Sequence, residues 1–381
     1  VSDDGRLAGG SALRALRTAA GLTIDDLAAR SGVSLRTIGG IERGRIRRPH
    51  EGTLTALAEA LRLGPDDGDR LRAAVRIEPA VIGLPRLTPC FTGRDDDLDR
   101  LTGAVSRHRV IELAGLPGIG KSALAAQAAT RLSGDFPDGV RFVALRGSSA
   151  PHPAALARDL ARSLGADLPD DDAGAVVAWR RLLDERRVLL ILDDATDAVR
   201  LAPLLPHRGE SVAVVTTSGP LSLPPRRARR VLTPLPVPDA ELALHRMIGP
   251  AVPDAGIAEL ARHCHGLPLA LRIVANRVRT RHGWSIARLT AQLARPGRHL
   301  EALTAGDLSV GAALDRGYRQ MPESLRAAVR ALAAPTPPAA ALADLAGCGW
   351  IAPHHEVNPI LHAFAVARTR DVRPAVPSTA A

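Results

Sequence analysis

The chain has 381 residues, 46% apolar but only 2% aromatic, enough for two to four domains with cores of Ala, Leu and Val. A net charge of +10 favours a polyanionic partner. The widely spaced Cys90, Cys264 and Cys348 argue against a disulfide framework. No run approaches the ~18 apolar residues of a membrane span, and the amino terminus lacks the apolar stretch of a secretory signal. A soluble cytoplasmic protein with no membrane partner is expected.

Residues 10–63 read as four or five short helices. Leu13, Leu16 and Ala20 mark the apolar face of the first. Thr23 is placed to cap a second over 24–30, and Ser31-Gly32-Val33 makes a tight turn. Ser34 caps a third with Leu35, Ile38 and Ile41 inward. A fourth follows from Glu51, with Leu54, Leu57, Ala58 and Leu61 at helical spacing. Two short helices around a glycine-containing turn fit a helix-turn-helix, whose second helix enters the major groove.

The stretch from Gly21 to Gly44 resembles the Cro/repressor (XRE-type) DNA-binding domain. The resemblance implies that Ser34, Arg36 and Thr37 face bases, and that Arg43, Arg45, Arg47 and Arg48 lie near phosphates. Two departures weigh against it. Ile24 stands where the family usually has Gln, and Gly39-Gly40 replace polar residues at about 1 kcal/mol each relative to Ala. A helical module that keeps the fold but contacts protein instead of DNA stays open beside the DNA-binding reading.

A fifth helix is expected from Gly64-Pro-Asp-Asp-Gly68, and a proline-punctuated linker before Pro89. The apolar strand Val110–Ala114 then runs into Gly115-Leu-Pro-Gly-Ile-Gly-Lys-Ser122, the spacing of a phosphate-binding P-loop. Lys121 is the only lysine in the chain; every other Lys+Arg cation is arginine. In a composition that replaces lysine wherever diffuse charge suffices, a retained lysine marks a place needing a slim ammonium. The loop N–H groups of Gly115, Gly118, Ile119, Gly120 and Ala123 would close around phosphate oxygens at the start of a helix. Lys121 would neutralise phosphate charge, and the Ser122 hydroxyl would ligate Mg²⁺.

Arg141-Phe-Val-Ala-Leu-Arg-Gly147 reads as a strand with Arg146 at its exit. Val188-Leu-Leu-Ile-Leu-Asp-Asp194 has the pattern of a parallel strand buried on both faces. Asp193 at its end would hold the Mg²⁺ shell, and Asp194 would orient or deprotonate an attacking water; capping of the next helix is the alternative. Ser211–Ser218 is another such strand, ending in hydroxyls that include Thr217, a candidate phosphate sensor. The basic run Arg226–Arg230 reads as a solvated turn between strands. Cys348, His354, His355 and His362 match no common zinc spacing. Alternating strands and helices specify an α/β doubly wound parallel sheet with its ligand at the strands' carboxyl ends.

Phe91-Thr-Gly-Arg94, the P-loop, Leu190-Ile-Leu-Asp-Asp194 and Cys264-His-Gly-Leu-Pro-Leu-Ala-Leu271 together resemble the NB-ARC branch of the STAND-class P-loop ATPases, in the form attached to actinobacterial regulators. Trp284-Ser-Ile-Ala-Arg-Leu and Leu308–Tyr318 match as well. The resemblance implies that Phe91, Thr92 and Arg94 pack on or near an adenine and that Pro268 closes the base pocket. It also implies what is missing. Ser218-Gly219 stand where an arginine often faces the γ-phosphate. Asn358-Pro359 stand where a His-Asp pair usually ends the winged helix.

The expected organisation is a helix-turn-helix domain over 1–76, a linker over 77–90 and a P-loop domain over 91–236. A helical subdomain over 237–305, a shortened winged-helix-like subdomain over 306–370 and a disordered tail over 371–381 follow. The expected function is transcriptional regulation set by ATP or ADP with Mg²⁺, with slow or negligible hydrolysis. Double-stranded promoter DNA, a second copy of the chain and a separate signal-sensing protein are the expected partners. The alternative is a signalling NTPase that acts on a protein partner.

Overall fold

The computed structural model describes residues 8–42, 49, 51–64, 85, 90–145, 152–223, 227–249, 254–280, 286–295, 298–352 and 357–372. The chain divides into two compact units, one containing the amino-terminal helices and one containing the described residues from Cys90 on, each with its own apolar core.

The first unit contains α1 (Ala8–Ala19), α2 (Ile24–Ser31), α3 (Leu35–Glu42) and α4 (Glu51–Ala60). Leu13, Leu27, Ile38, Ile41, Leu54 and Leu57, drawn from all four helices, are buried around a single core. Thr23 starts α2 through a reciprocal capping box with Asp26, and Gly32 ends it in the left-handed conformation at φ 68°. Two expectations fail here. Leu35 is 49% exposed, because the packed half of α3 is its carboxyl-terminal one, where residues 38–42 are all buried. Ala20 lies past the end of α1 and is exposed. Gly39 and Gly40 belong to that buried half, so they do not thin the solvent-facing surface of α3. Glu42 is buried with its charge met by Arg17 at 2.6 Å.

In the second unit α5 (Asp95–Val105) leads into β1 (Val110–Ala114). Then come α6 (Lys121–Arg131), β2 (Val140–Ala144), α7 (Pro153–Ser163), α8 (Asp172–Glu185), β3 (Leu189–Asp193), β4 (Val212–Thr217) and β5 (Arg227–Val231). All five strands are parallel, in the order β2-β3-β4-β1-β5. The chain leaves β1 between β4 and β5 and returns in β2 at the far edge, so the strand order reverses beside β1. Ligands of open α/β sheets bind at such switch points, outside the strands' carboxyl ends.

β5 corrects the reading of the basic run as a turn. Glu112, in the middle of the buried β1, is 1% exposed, and a carboxylate there must be paired. Arg229 stands opposite Glu112 in the β1–β5 register. Arg227 reaches the carboxylate at 2.7 Å and Arg229 at 3.4 Å.

Beyond the sheet, α9 (Val237–Ile248) packs on α10 (Asp254–His263) and α11 (Pro268–Thr280), and α12 (Ile286–Leu293) on α10. A two-residue strand pair, Thr304–Ala305 with Leu308–Ser309, precedes α13 (Val310–Arg319), α14 (Glu323–Ala331), α15 (Ala339–Cys348) and α16 (Pro359–Val372). Among the described residues, everything after that strand pair is helical or loop. None of the described helices is long and apolar enough to cross a membrane.

Candidate functional site

Three neighbouring strands place one cluster. β1 delivers the P-loop, β3 ends in Asp193 and β4 ends in Thr216-Thr217. Thr216 Oγ1 donates to Asp193 Oδ1 at 2.7 Å and accepts from the Asp194 N–H at 2.9 Å. Asp194 adopts φ 60°, a left-handed conformation that Asp tolerates better than most residues and that ends the strand abruptly. Burial pushes the Asp193 carboxyl above its ordinary range, opposed by the Thr216 hydroxyl and then by Ser122. Burial pushes the Lys121 ammonium down to about 8, opposed by the charges of Asp194 and Asp193. Its Nζ donates to the carbonyls of Gly115 at 2.8 Å and Leu116 at 3.2 Å.

The P-loop glycines have separate reasons. Gly118 and Gly120 take φ 84° and 101°, a region open mainly to glycine. A Cβ on Gly118 would also lie 2.9 Å from Leu269, whose N–H donates to the Gly118 carbonyl at 3.2 Å. The start of α11 is therefore seated directly on the loop. Gly266, just before it, takes φ 67° and leaves no room for a side chain, since a Cβ would stand 2.3 Å from the Leu235 carbonyl oxygen.

A cavity of about 430 Å³ opens over this cluster, within the range typical of small-molecule sites. One end is largely apolar. Phe91, Leu235, Ala243 and Met247 line it, drawn together because Gly93 lets residues 90–94 press on α9 and because Arg246 donates to Thr92 at 3.0 Å. The other end carries Lys121, Ser122, Asp193, Asp194 and Thr216. Gly118, Gly120, Ala123 and Pro268 line the cavity as well. A base at one end and phosphates at the other is the arrangement this division fits.

Several sequence expectations change in detail. Arg94 lines the cavity, but its guanidinium is engaged with the Ile119 carbonyl at 3.1 Å, the Thr233 carbonyl at 2.8 Å and Asp97 at 2.8 Å. It braces the P-loop against the exit of β5. Ile119 turns its side chain into the core, and its N–H is bonded to the Leu116 carbonyl, so neither it nor Gly115 lines the cavity. Thr217 does not line it either. Its hydroxyl is bonded to the backbone of Gly219 on both sides at 3.1 Å, and side-chain alternation along β4 gives the cavity to Thr216 instead. Asn358 caps the start of α16 and donates to the His265 carbonyl at 2.9 Å, away from the cavity-lining set. Arg272, Arg316 and Gln320 also line the cavity; of these only Arg316 falls in a matching stretch of the sequence, Leu308–Tyr318, and the resemblance gave it no role there.

The oxygen donors of Ser122, Asp193 and Thr216, with Asp194 beside them, fit Mg²⁺, which is held by one or two carboxylates with water and phosphate completing its shell. Among the described residues no group of three or more His, Cys, Asp or Glu could hold a metal ion alone.

In the amino-terminal unit Ser34 and Arg36 are exposed at the start of α3 and Thr37 is half-buried. The Ser34 and Thr37 hydroxyls are 2.8 Å apart, and Ser34 Oγ also accepts from the Thr37 N–H at 3.1 Å. Ser34 is thus engaged as a helix cap. Arg43, Arg45, Arg47, Arg48, Arg146, His354 and His355 lie outside the described residues.

Residues 10–71 match the family described as a helix-turn-helix domain, and residues 104–205 match the one described as an AAA domain. The chain joins a helix-turn-helix domain to an AAA-type P-loop domain. It is 35% identical over 294 residues to the regulatory protein AfsR of Streptomyces griseus, covering 71% of this chain and 29% of that protein. With AfsR of Streptomyces coelicolor the identity is 34% over 279 residues, covering 68% of this chain and 28% of that protein. The chain thus spans less than a third of the length of these curated relatives. A solved STAND protein with a tetratricopeptide repeat sensor from Pyrococcus horikoshii aligns over 78% of this chain and 45% of its own, at 16% identity and TM-score 0.35. The P-loop domain match ends before β4, so Thr216 and the elements from α9 on enter the site through the geometry.

Proposed function

We propose that the chain is a nucleotide-dependent transcriptional regulator of the NB-ARC, STAND-class type, binding promoter DNA through its helix-turn-helix domain. The observation that carries the reading is the cavity itself. It places the P-loop, Asp193 and Thr216 at one end and an apolar pocket at the other, and residues of α9, α11 and α13 complete it. A bound ATP or ADP would therefore touch segments that the sheet alone does not hold. The nucleotide would set their arrangement, and with it the presentation or pairing of helix-turn-helix domains in a homo-oligomer. A separate signal-sensing protein would act on the same equilibrium.

Within the site, loop N–H groups and Lys121 receive phosphate charge, Phe91 and Pro268 enclose the base, and Ser122 and Asp193 would hold Mg²⁺. A bound Mg²⁺ would neutralise phosphate charge. Asp194 stands where a water could be oriented toward a phosphate. Hydrolysis is expected to be slow, since no arginine follows the β4 threonines and lost transition-state charge costs orders of magnitude in phosphoryl transfer.

The test is to identify and quantify the nucleotide released on denaturing the purified protein, alongside turnover and DNA binding of Lys121→Ala. A K121A protein that folds normally with nucleotide and DNA affinity unchanged overturns the reading. Weak, salt-labile binding to random duplex DNA with no sequence preference would instead favour the rival, a signalling NTPase acting through a protein partner.

A further inference from the structure

Two cations in the cavity have no partner among the described residues. Arg272 on α11 and Arg316 on α13 line it, are exposed at their own positions, and make no hydrogen bond or ion pair among the described residues. The other arginine lining the cavity, Arg94, has its guanidinium bonded to two carbonyls and to Asp97. The carboxylate next to Arg316 in sequence, Asp315, is taken by Arg319 at 2.7 Å and Arg368 at 3.4 Å.

Each free arginine sits beside a point where its helix is seated on the P-loop. Arg272 follows Leu269 by three residues and so shares its helix face, and the Leu269 N–H is bonded to Gly118. Arg316 precedes Gly317, where a Cβ would stand 2.8 Å from Pro117 Cγ. Two helices from separate segments thus each bring an arginine into the cavity lining, next to a contact with the P-loop. A planar fork of donors is suited to phosphate oxygens.

We infer that Arg272 and Arg316 hold the terminal phosphate of a bound nucleoside triphosphate, replacing the cation that β4 does not supply. This deepens the nucleotide-site reading and rests on it. Through the two arginines the outermost phosphate links α11 and α13 to the P-loop, so the site distinguishes triphosphate from diphosphate by what those helices can reach.

The experiment measures ATP and ADP binding with Mg²⁺ by calorimetry on nucleotide-free protein. It compares wild type, Arg272→Gln, Arg316→Gln, the double variant, Arg316→Lys and Lys121→Ala, with thermal unfolding as the check on folding. A charge-assisted hydrogen bond accounts for roughly tenfold or more in affinity. Each single Gln variant should therefore lose about tenfold in ATP affinity, and the double variant more. ADP affinity should move less than about threefold, and R316K should recover part of the ATP affinity. Unchanged ATP affinity, or equal losses for ATP and ADP, overturns the inference. If K121A abolishes binding while the double Gln variant matches wild type, the inference falls and the nucleotide site stands. If wild type binds neither nucleotide, both fall together.

Discussion

The Lys121 ammonium donates to the Gly115 carbonyl at 2.8 Å, folded back onto the loop that carries it. It is buried, and burial brings its pKa down to about 8 from the ordinary 10.5. Between those values the unfolded chain binds a proton that the folded chain has released. The stability of the nucleotide-free protein should therefore rise with pH across that window on this residue's account. Nucleotide binding should run the other way. A phosphate needs the charged ammonium, so affinity should fall as pH rises above about 8, with proton uptake on binding there. Calorimetry in buffers of different ionisation enthalpy measures that uptake. A flat affinity from pH 7 to 9.5 would mean that Lys121 either does not meet the phosphates or keeps its ordinary pKa, and loss of binding in Lys121→Ala separates the two.

Glu112 lies inside β1 at 1% exposure, with Arg227 and Arg229 beside it on β5. Removing both arginines leaves a buried charge without its partners, which typically costs about 3–5 kcal/mol. Replacing Glu112 by leucine removes the charge itself and should cost far less, since an apolar isostere of a buried pair is often near neutral. Urea unfolding of Arg227→Ala/Arg229→Ala against Glu112→Leu checks the order. The reverse order would mean that the arginines are held by other contacts and that Glu112 does not need them.

How far the sequence reveals this site depends on the kind of signal each part leaves. β1, β3 and β4 are legible because a strand buried on both faces must be apolar throughout, and the P-loop because phosphate contact demands glycines and Lys121. β5 is not, since Arg-Ala-Arg-Arg has the composition of a solvated turn. The clue lay one strand away, in Glu112, an acid inside a buried strand that requires cations. Thr216 and Thr217 are indistinguishable by type, and only the pleat decides which faces Asp193. Arg272 was within reach, one turn beyond Pro268 on the same helix. Arg316 lies within the matching Leu308–Tyr318 stretch, but its place at the cavity depends on how α13 docks against Pro117.

Arg36 is exposed in the first turn of α3, beside Ser34 and Leu35. If that helix enters the major groove, Arg36→Ala should weaken binding to a selected operator by about tenfold or more and relax the preference at one base position. An equal loss on every duplex, with a shallower salt dependence, would assign Arg36 to phosphate. Random-sequence selection followed by titration at two salt concentrations separates the outcomes. No loss on any duplex would favour a protein-contacting module.

Gly317 decides how tightly α13 sits on the loop. Helix propensity alone makes Gly317→Ala favourable by about 1 kcal/mol. Here the added methyl would stand 2.8 Å from Pro117 Cγ and 2.9 Å from Trp350 Cζ2, too close for either to stay in place. Trp350 is itself held by its indole N–H, which donates to the Ser218 carbonyl at 2.5 Å, so the ring cannot simply swing away. Packing should therefore override propensity, and G317A should melt at a lower temperature than wild type despite its better helix former. Because the displaced elements border the cavity, a bound fluorescent nucleotide should also leave faster. Differential scanning fluorimetry and stopped-flow release measure the two effects. A higher melting temperature with unchanged release would mean that α13 does not press on Pro117 in solution.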